Sequence, residues 1–199
     1  MYFTKRLKSS VARKIQSEHY DVYAIKLKAD SFAGDADELA EIVDRMFSAW
    51  RKMTSCHWGG YLKNYEGIIR RLFFAEESGQ FSPFFYLICV RKRNMLIARE
   101  EYLKRVEAEK LKMRAYIKWF SAWARTVKQC ANVSVDFSLV DIENMESVLN
   151  EFFTDEKYTL FALLDEAKRE LLKKAAGDGK HKLATLHGTF RKQEREIGR

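Results

Sequence analysis

An α+β fold with an antiparallel central sheet and helices packed on one side follows from three features of the sequence. Two apolar, aromatic-rich runs, GIIRRLFF and FSPFFYLICV, flank the polar break AEESGQ, whose Ser and Gly suit a chain reversal. Asp21–Lys28 and Val133–Val140 alternate with a period of two, as a strand with two unlike faces does. Leu39, Ile42, Val43, Met46, Phe47 and Trp50 recur at steps of three and four, which places one apolar helical stripe against a sheet.

The elements follow in chain order. Residues 1–20 are basic and weakly periodic and are expected to form a basic N-terminal arm or a short helix. In the first strand Lys26 and Lys28 share one face, where they meet either nucleic acid or plain solvent. A helix is predicted from about Ala36 to Met53, with Asp35 as its N-cap and Glu38 completing a capping box. Trp50 near its end reads as a core anchor. Strands are expected within 58–74 and 84–90, with Pro83, the one proline of the chain, at the start of the second. Glu66 in the first of these runs needs a partner or a purpose if it is buried.

After Val90 the chain is rich in helix formers and cations. From Arg91 to Lys128 it holds twelve Lys or Arg against four Glu, and Arg91, Lys92 and Arg93 open that surplus as candidate phosphate contacts. Trp119 and Trp123 read as core residues in preference to a stacking platform for bases. After the 133–140 strand, Ile142, Met145, Val148, Leu149 and Phe152 mark a short amphipathic helix. A helical C-terminal part follows, closed by GDGK, and residues 177–199 are expected to be a basic tail.

The 199 residues, 47% hydrophobic and 14% aromatic, suit a single domain with a sizeable core. The net charge of +8 favours an acidic partner, with DNA first and a protein second, and a homodimer is open. Cys56, Cys89 and Cys130 form no CxxC pair, so neither a zinc site nor a disulfide framework is supported. Cys89 reads as a small buried hydrophobe. His57 beside Cys56, and His181 and His187 in the tail, make no ligand set. With no signal-peptide pattern and no apolar run of membrane length, a cytoplasmic setting without membrane contact is expected.

The central block resembles the rolling-circle plasmid replication initiators, the HUH-type nicking endonucleases. In that family a Gly-x-x-x-x-x-Glu strand is followed by a hairpin and a His-Pro-His-aromatic-His strand. Gly60 and Glu66 match the first part, and Ser82-Pro83-Phe84-Phe85-Tyr86 falls where the histidine motif belongs. Proline and aromatic remain, and each histidine is replaced. Lys157-Tyr158 resembles the centre of the family's nucleophile helix, Glu-x-x-Lys-Tyr-x-x-Lys, with Thr154 and Phe161 at its outer positions. Trp50, the Trp119 and Trp123 pair, and the glycine-turn-basic segment Gly188–Lys192 fit the same order.

The resemblance implies a Rep-like fold over residues 1–199, with Tyr158 as the vestigial nucleophile. It also implies Ser82, Phe84, Tyr86 and Glu66 as vestigial metal positions. Lys26, Lys28, Arg91, Lys92, Arg93, Lys157, Arg191 and Lys192 are the DNA-binding candidates. In such an enzyme a tyrosine hydroxyl attacks a phosphodiester and is joined to the 5′ phosphate, while a divalent ion offsets the developing charge. Phe84 offers no lone pair and a neutral phenol at Tyr86 is a poor ligand. Losing about 4 kcal/mol of such stabilisation slows a step roughly a thousandfold.

The expected function is therefore that of a DNA-binding protein, on single strands or an origin duplex, derived from the initiator of a plasmid or other mobile element and without metal-dependent nicking. A regulator or inhibitor acting through protein contacts on the same scaffold is the alternative, and a still-active tyrosine nickase the second alternative. No cofactor is expected, with Mg²⁺ or Mn²⁺ entering only if nicking persists.

Overall fold

The computed structural model describes residues 2–17, 20–29, 33–55, 62, 65–92, 119, 121–124, 133–140, 142–153, 166–176, 184–188 and 190–191. The elements are α1 (Tyr2–Ser17), β1 (Tyr20–Lys28), α2 (Ala36–Thr54), β2 (Gly67–Glu77), β3 (Gln80–Lys92), β4 (Ser134–Val140), α3 (Met145–Phe153), α4 (Glu166–Ala175) and β5 (Ala184–Gly188). A short 3₁₀ turn, Ile142–Asn144, leads into α3. The strands form one sheet in the order β4-β1-β3-β2-β5, and each neighbouring pair is antiparallel. The α+β class and the antiparallel sheet expected from the pattern are both present.

β2 and β3 are joined by the two-residue loop Ser78-Gly79, with φ of 52° and 79°. Two positive φ values make the mirror-image turn whose twist matches that of a strand pair, and glycine adopts this conformation at little cost. Pro83 lies opposite Phe74 within β3. The β1 ladder ends at Lys28 opposite Phe84, so the amide that proline lacks removes no bond from β1.

β3 is the middle strand, and every residue from Phe81 to Val90 is buried. Phe81, Phe85, Leu87 and Cys89 pack on one face with Leu39, Ile42, Val43, Met46, Phe47 and Trp50 of α2, Leu172 of α4, and Trp119 and Trp123. Phe84, Tyr86, Ile88 and Val90 pack on the other with Val11 and Ile15 of α1 and Met145, Leu149, Phe152 and Phe153 of α3. Helices thus cover both faces, which corrects the expectation of one covered side. The physical reason lies in β3 itself, where an unbroken apolar run cannot leave either face in water.

α2 begins where the sequence placed it, because the Asp35 carboxylate accepts from the amides of Asp37 at 2.8 Å and Glu38 at 3.1 Å. Those amides hold its pKa below the ordinary value. Trp50, Trp119, Trp123 and Cys89 are core residues, as expected. The two indoles also make polar bonds: Trp123 donates to the Lys28 carbonyl at 2.8 Å and Trp119 to the Tyr65 hydroxyl at 3.0 Å. The remainder of the helix-former-rich stretch, residues 93–118, 120 and 125–132, lies outside the described residues.

Of the two readings of residues 1–20, the helix is the one present, and the expected tail contains a strand. Residues 2–17 are a helix with Val11 and Ile15 in the core. Residues 184–188 form the edge strand β5, and Phe190 just beyond it is fully buried. The strand expected within 58–74 runs from Gly67 to Glu77. Among the described residues no helix is long and apolar enough to cross a membrane.

Gly188 pins β5 to β2. Its φ is 62°, and a Cβ added there would stand 1.9 Å from the Glu66 carbonyl oxygen. Neither a side chain nor an ordinary backbone conformation fits, so Gly188→Ala is expected to cost at least about 2 kcal/mol. Urea unfolding measures this, and an unchanged midpoint contradicts the close approach.

Candidate nucleic-acid interface

The positions marked by the family resemblance lie in the middle of the sheet. Ser82, Phe84 and Tyr86 alternate onto the face covered by α1 and α3, and all three are buried. Phe84 stacks on Phe73 with ring centroids 5.7 Å apart, and Tyr86 meets Phe152 edge-on at 5.3 Å. Phe73 and Phe153 complete a five-ring cluster around Phe152. Such packing stabilises through area and edge geometry, and it leaves these rings facing other rings.

Glu66 stands elsewhere. It is exposed just before β2, and its Oε2 accepts a hydrogen bond from the Tyr20 hydroxyl at 2.9 Å. Arg71, opposite Tyr86, is five residues further along β2, a rise of roughly 16 Å. Glu66 therefore cannot share an ion with position 84 or 86, and the partner it has is a tyrosine. The residues at these four positions do not fit a divalent ion: two are packed aromatic rings, one is a lone hydroxyl and one is remote. Among the described residues no group of three or more His, Cys, Asp or Glu could hold a metal ion. Tyr158 and Lys157 lie outside the described residues, as do Cys56, His57, Gly60, Cys130 and His181.

Two arginines interrupt the apolar run of β2, and alternation sends them to opposite faces. Arg70, 2% exposed, lies against Phe85, Phe47 and Trp50, with its guanidinium carbon 4.6, 4.7 and 5.2 Å from the three ring centroids. Burial lowers its pKa to about 10, so it stays charged at neutral pH. Arg71 passes over the Phe73 ring at 5.1 Å and donates to the Phe152 carbonyl at 3.1 Å. That carbonyl belongs to the last turn of α3, the negative end of the helix dipole. Neither arginine was singled out from the sequence, although the adjacent pair in a buried run was the available signal.

The sequence-derived cations divide into two groups. Lys26 bonds Glu151 of α3 at 3.2 Å and lies 5.0 Å from the Tyr86 ring centroid. Lys28 on the same face pairs with Asp136 of β4 at 2.7 Å. Both are thus engaged with carboxylates of their own chain. Arg91 and Arg191 are exposed near the end of the sheet where Val90, Gly67 and Gly188 stand side by side. Arg93 and Lys192, and the side chain of Lys92, lie outside the described residues.

That end of the sheet carries several cations beside the exposed Glu66. The pKa of His187 is lowered by partial burial first and then by the Arg70 and Arg191 guanidiniums. Its ring lies 6.5 Å from Trp50, which precedes the exposed Arg51 and Lys52 on the last turn of α2. Arg191 and His187 thus stand at β5, Arg51 and Lys52 follow the Trp50 that neighbours His187, and Arg91 lies on β3 at the same end of the sheet. An assembly of this kind attracts phosphate oxygens and offers guanidinium donors to them.

Two outcomes follow. Phe152→Ala removes the ring at the centre of the aromatic cluster and should destabilise the fold by about 3–5 kcal/mol, read by chemical unfolding. His187 has a folded pKa below its ordinary 6.5, so the unfolded chain binds more protons between those two values. Stability is then fully present above about pH 6.5 and falls as the pH drops through that window. Because the ring is still partly exposed, the loss is small and should vanish in His187→Gln. Unfolding curves at pH 5 and 7.5, with histidine NMR titration, test the sign.

Comparison with protein-family models, curated proteins and solved structures finds no match to this chain.

Proposed function

We propose that this protein binds DNA through the positive end of its sheet, on a scaffold of the kind that rolling-circle initiators use, and does not nick DNA by a metal-dependent step. The observation that carries the binding half is the cluster around β5. Burial first, and then Arg70 and Arg191, lower the proton affinity of His187. Arg51 and Lys52 follow Trp50, whose ring lies 6.5 Å from it, and Arg91 is exposed at the same end of the sheet. Phosphate is the ligand such a cluster suits, because each cation placed on a phosphate releases a condensed counterion.

The catalytic half rests on side-chain chemistry. Positions 82, 84 and 86 carry a hydroxyl and two rings enclosed by Phe73 and Phe152, and the nearest family-type carboxylate, Glu66, bonds Tyr20. Nothing in that set polarises a scissile phosphate. The order of the sheet also supports the scaffold reading, since the proline-aromatic strand is its centre. In this reading the basic surface outlasted the ion site.

Fluorescence anisotropy with labelled single-stranded and duplex oligonucleotides tests the proposal. Affinity should fall steeply as salt rises. The double variant Arg91→Ala/Arg191→Ala should weaken binding by roughly tenfold or more and reduce the salt slope by about 2. No binding at low salt would overturn the reading. Mn²⁺-dependent cleavage abolished by Tyr158→Phe would overturn its catalytic half and leave the binding half standing.

A further inference from the structure

The sheet has two edges, and they are protected unequally. β5 is five residues long, adjoins Arg191 and is followed closely by the buried Phe190. β4 is seven residues long, SVDFSLV, and contains neither Lys, Arg nor Pro, the residues that commonly block strand addition at an edge. Among the described residues no strand pairs with its outer side. Its Leu139, 39% exposed, is the one large hydrophobic side chain left open among the described residues. A lone exposed leucine means little by itself, but this one sits on an edge strand that no described strand caps.

The pattern of β4 is complementary to itself. Val135 and Phe137 lie on the face of α2, and Leu139, opposite Tyr23, continues that row. Asp136 and Ser138 lie on the opposite face, with Asp136 held by Lys28 at 2.7 Å. A two-fold axis perpendicular to the sheet pairs odd residues with odd and even with even. Centred on Asp136, it would set two carboxylates against each other, which is unfavourable. Centred on Phe137, it pairs Val135 with Leu139 of the second copy, Phe137 with itself, and Asp136 with Ser138. Val135, Phe137 and Leu139 then each meet an apolar side chain, the lone charge meets a hydroxyl, and Ser134 faces Val140 at the two ends of the pair.

We propose that β4 is a dimerisation edge, pairing antiparallel with β4 of a second copy about Phe137 to give one continuous sheet. The occupant is the chain itself because the register that satisfies the side chains is symmetric, as a closed two-fold dimer requires. The inference is independent of the DNA-binding reading, since β4 is separated from β5 by the other three strands.

Sedimentation equilibrium on the full chain over a concentration series tests it, with circular dichroism as the folding control. A concentration-dependent dimer is expected. Leu139→Lys should weaken dimerisation by about tenfold or more, and Ala184→Lys on the opposite edge should leave it unchanged. The charge test fixes the register. Ser138→Lys, facing the second copy's Asp136, should tighten the dimer about fivefold, and Ser138→Glu should loosen it by a similar factor. A monomer throughout the series overturns the proposal. So does a dimer broken by Ala184→Lys, or one indifferent to the charge at position 138.

Discussion

β3 gives up no residue to solvent between Phe81 and Val90, and its neighbours on both sides are bound to it along most of its length. A strand in that position must be covered twice, because its side chains leave the sheet in both directions. Burying each Leu, Ile, Val or Phe contributes about 1.5–3 kcal/mol, against about 1–2 kcal/mol of backbone entropy per residue fixed. Those terms favour the fold only if both covers are present. The layer of α2 and α4 and the layer of α1 and α3 are therefore one requirement met twice, by helices drawn from distant parts of the chain.

With both faces covered, charge inside the sheet needs special arrangements. Arg70 keeps a delocalised cation against three aromatic faces, an environment that suits a weakly hydrated guanidinium better than a compact ammonium. Arg71 puts its charge where α3 ends with unsatisfied carbonyls. Lys26 meets Glu151 one residue earlier on that same helix. Each solution ties a strand to a helix at one defined height, so the charges fix how the layers sit as well as offsetting their own burial. Replacing such a charge by a well-packed apolar residue need not destabilise the fold, whereas removing its partner does.

The elements legible in the sequence are those whose pattern is local. α2 announced itself by its stripe and cap, β1 and β4 by alternation, and the hairpin by Ser78 and Gly79. α1 was weak because only Val11 and Ile15 of its described residues reach the core, and β5 was missed because ATLHG is short and largely exposed. Cover on one side alone does not form, because the apolar run FSPFFYLICV sends side chains to both faces and each needs a layer. The site was less legible still. Lys26 and Glu151 are 125 residues apart, and no spacing rule connects them. The distance of Glu66 from Tyr86 is a matter of strand register, which the turn fixes and composition does not.

The aromatic cluster under α3 fills the face that carries positions 82, 84 and 86, so the phosphate ligand of the proposed function meets the protein at the sheet's end. That has a consequence through His187. Its pKa is low because burial and two guanidiniums oppose a further positive charge. A phosphate bound beside Arg191 would offset those charges and raise the pKa again. By linkage, binding then takes up a proton, and affinity should rise as the pH falls below about 6.5, while folding stability falls in the same direction. The two trends have opposite signs and a common origin, so both should disappear together in His187→Gln. If the pH dependence of affinity survives that substitution, the anion does not bind near β5.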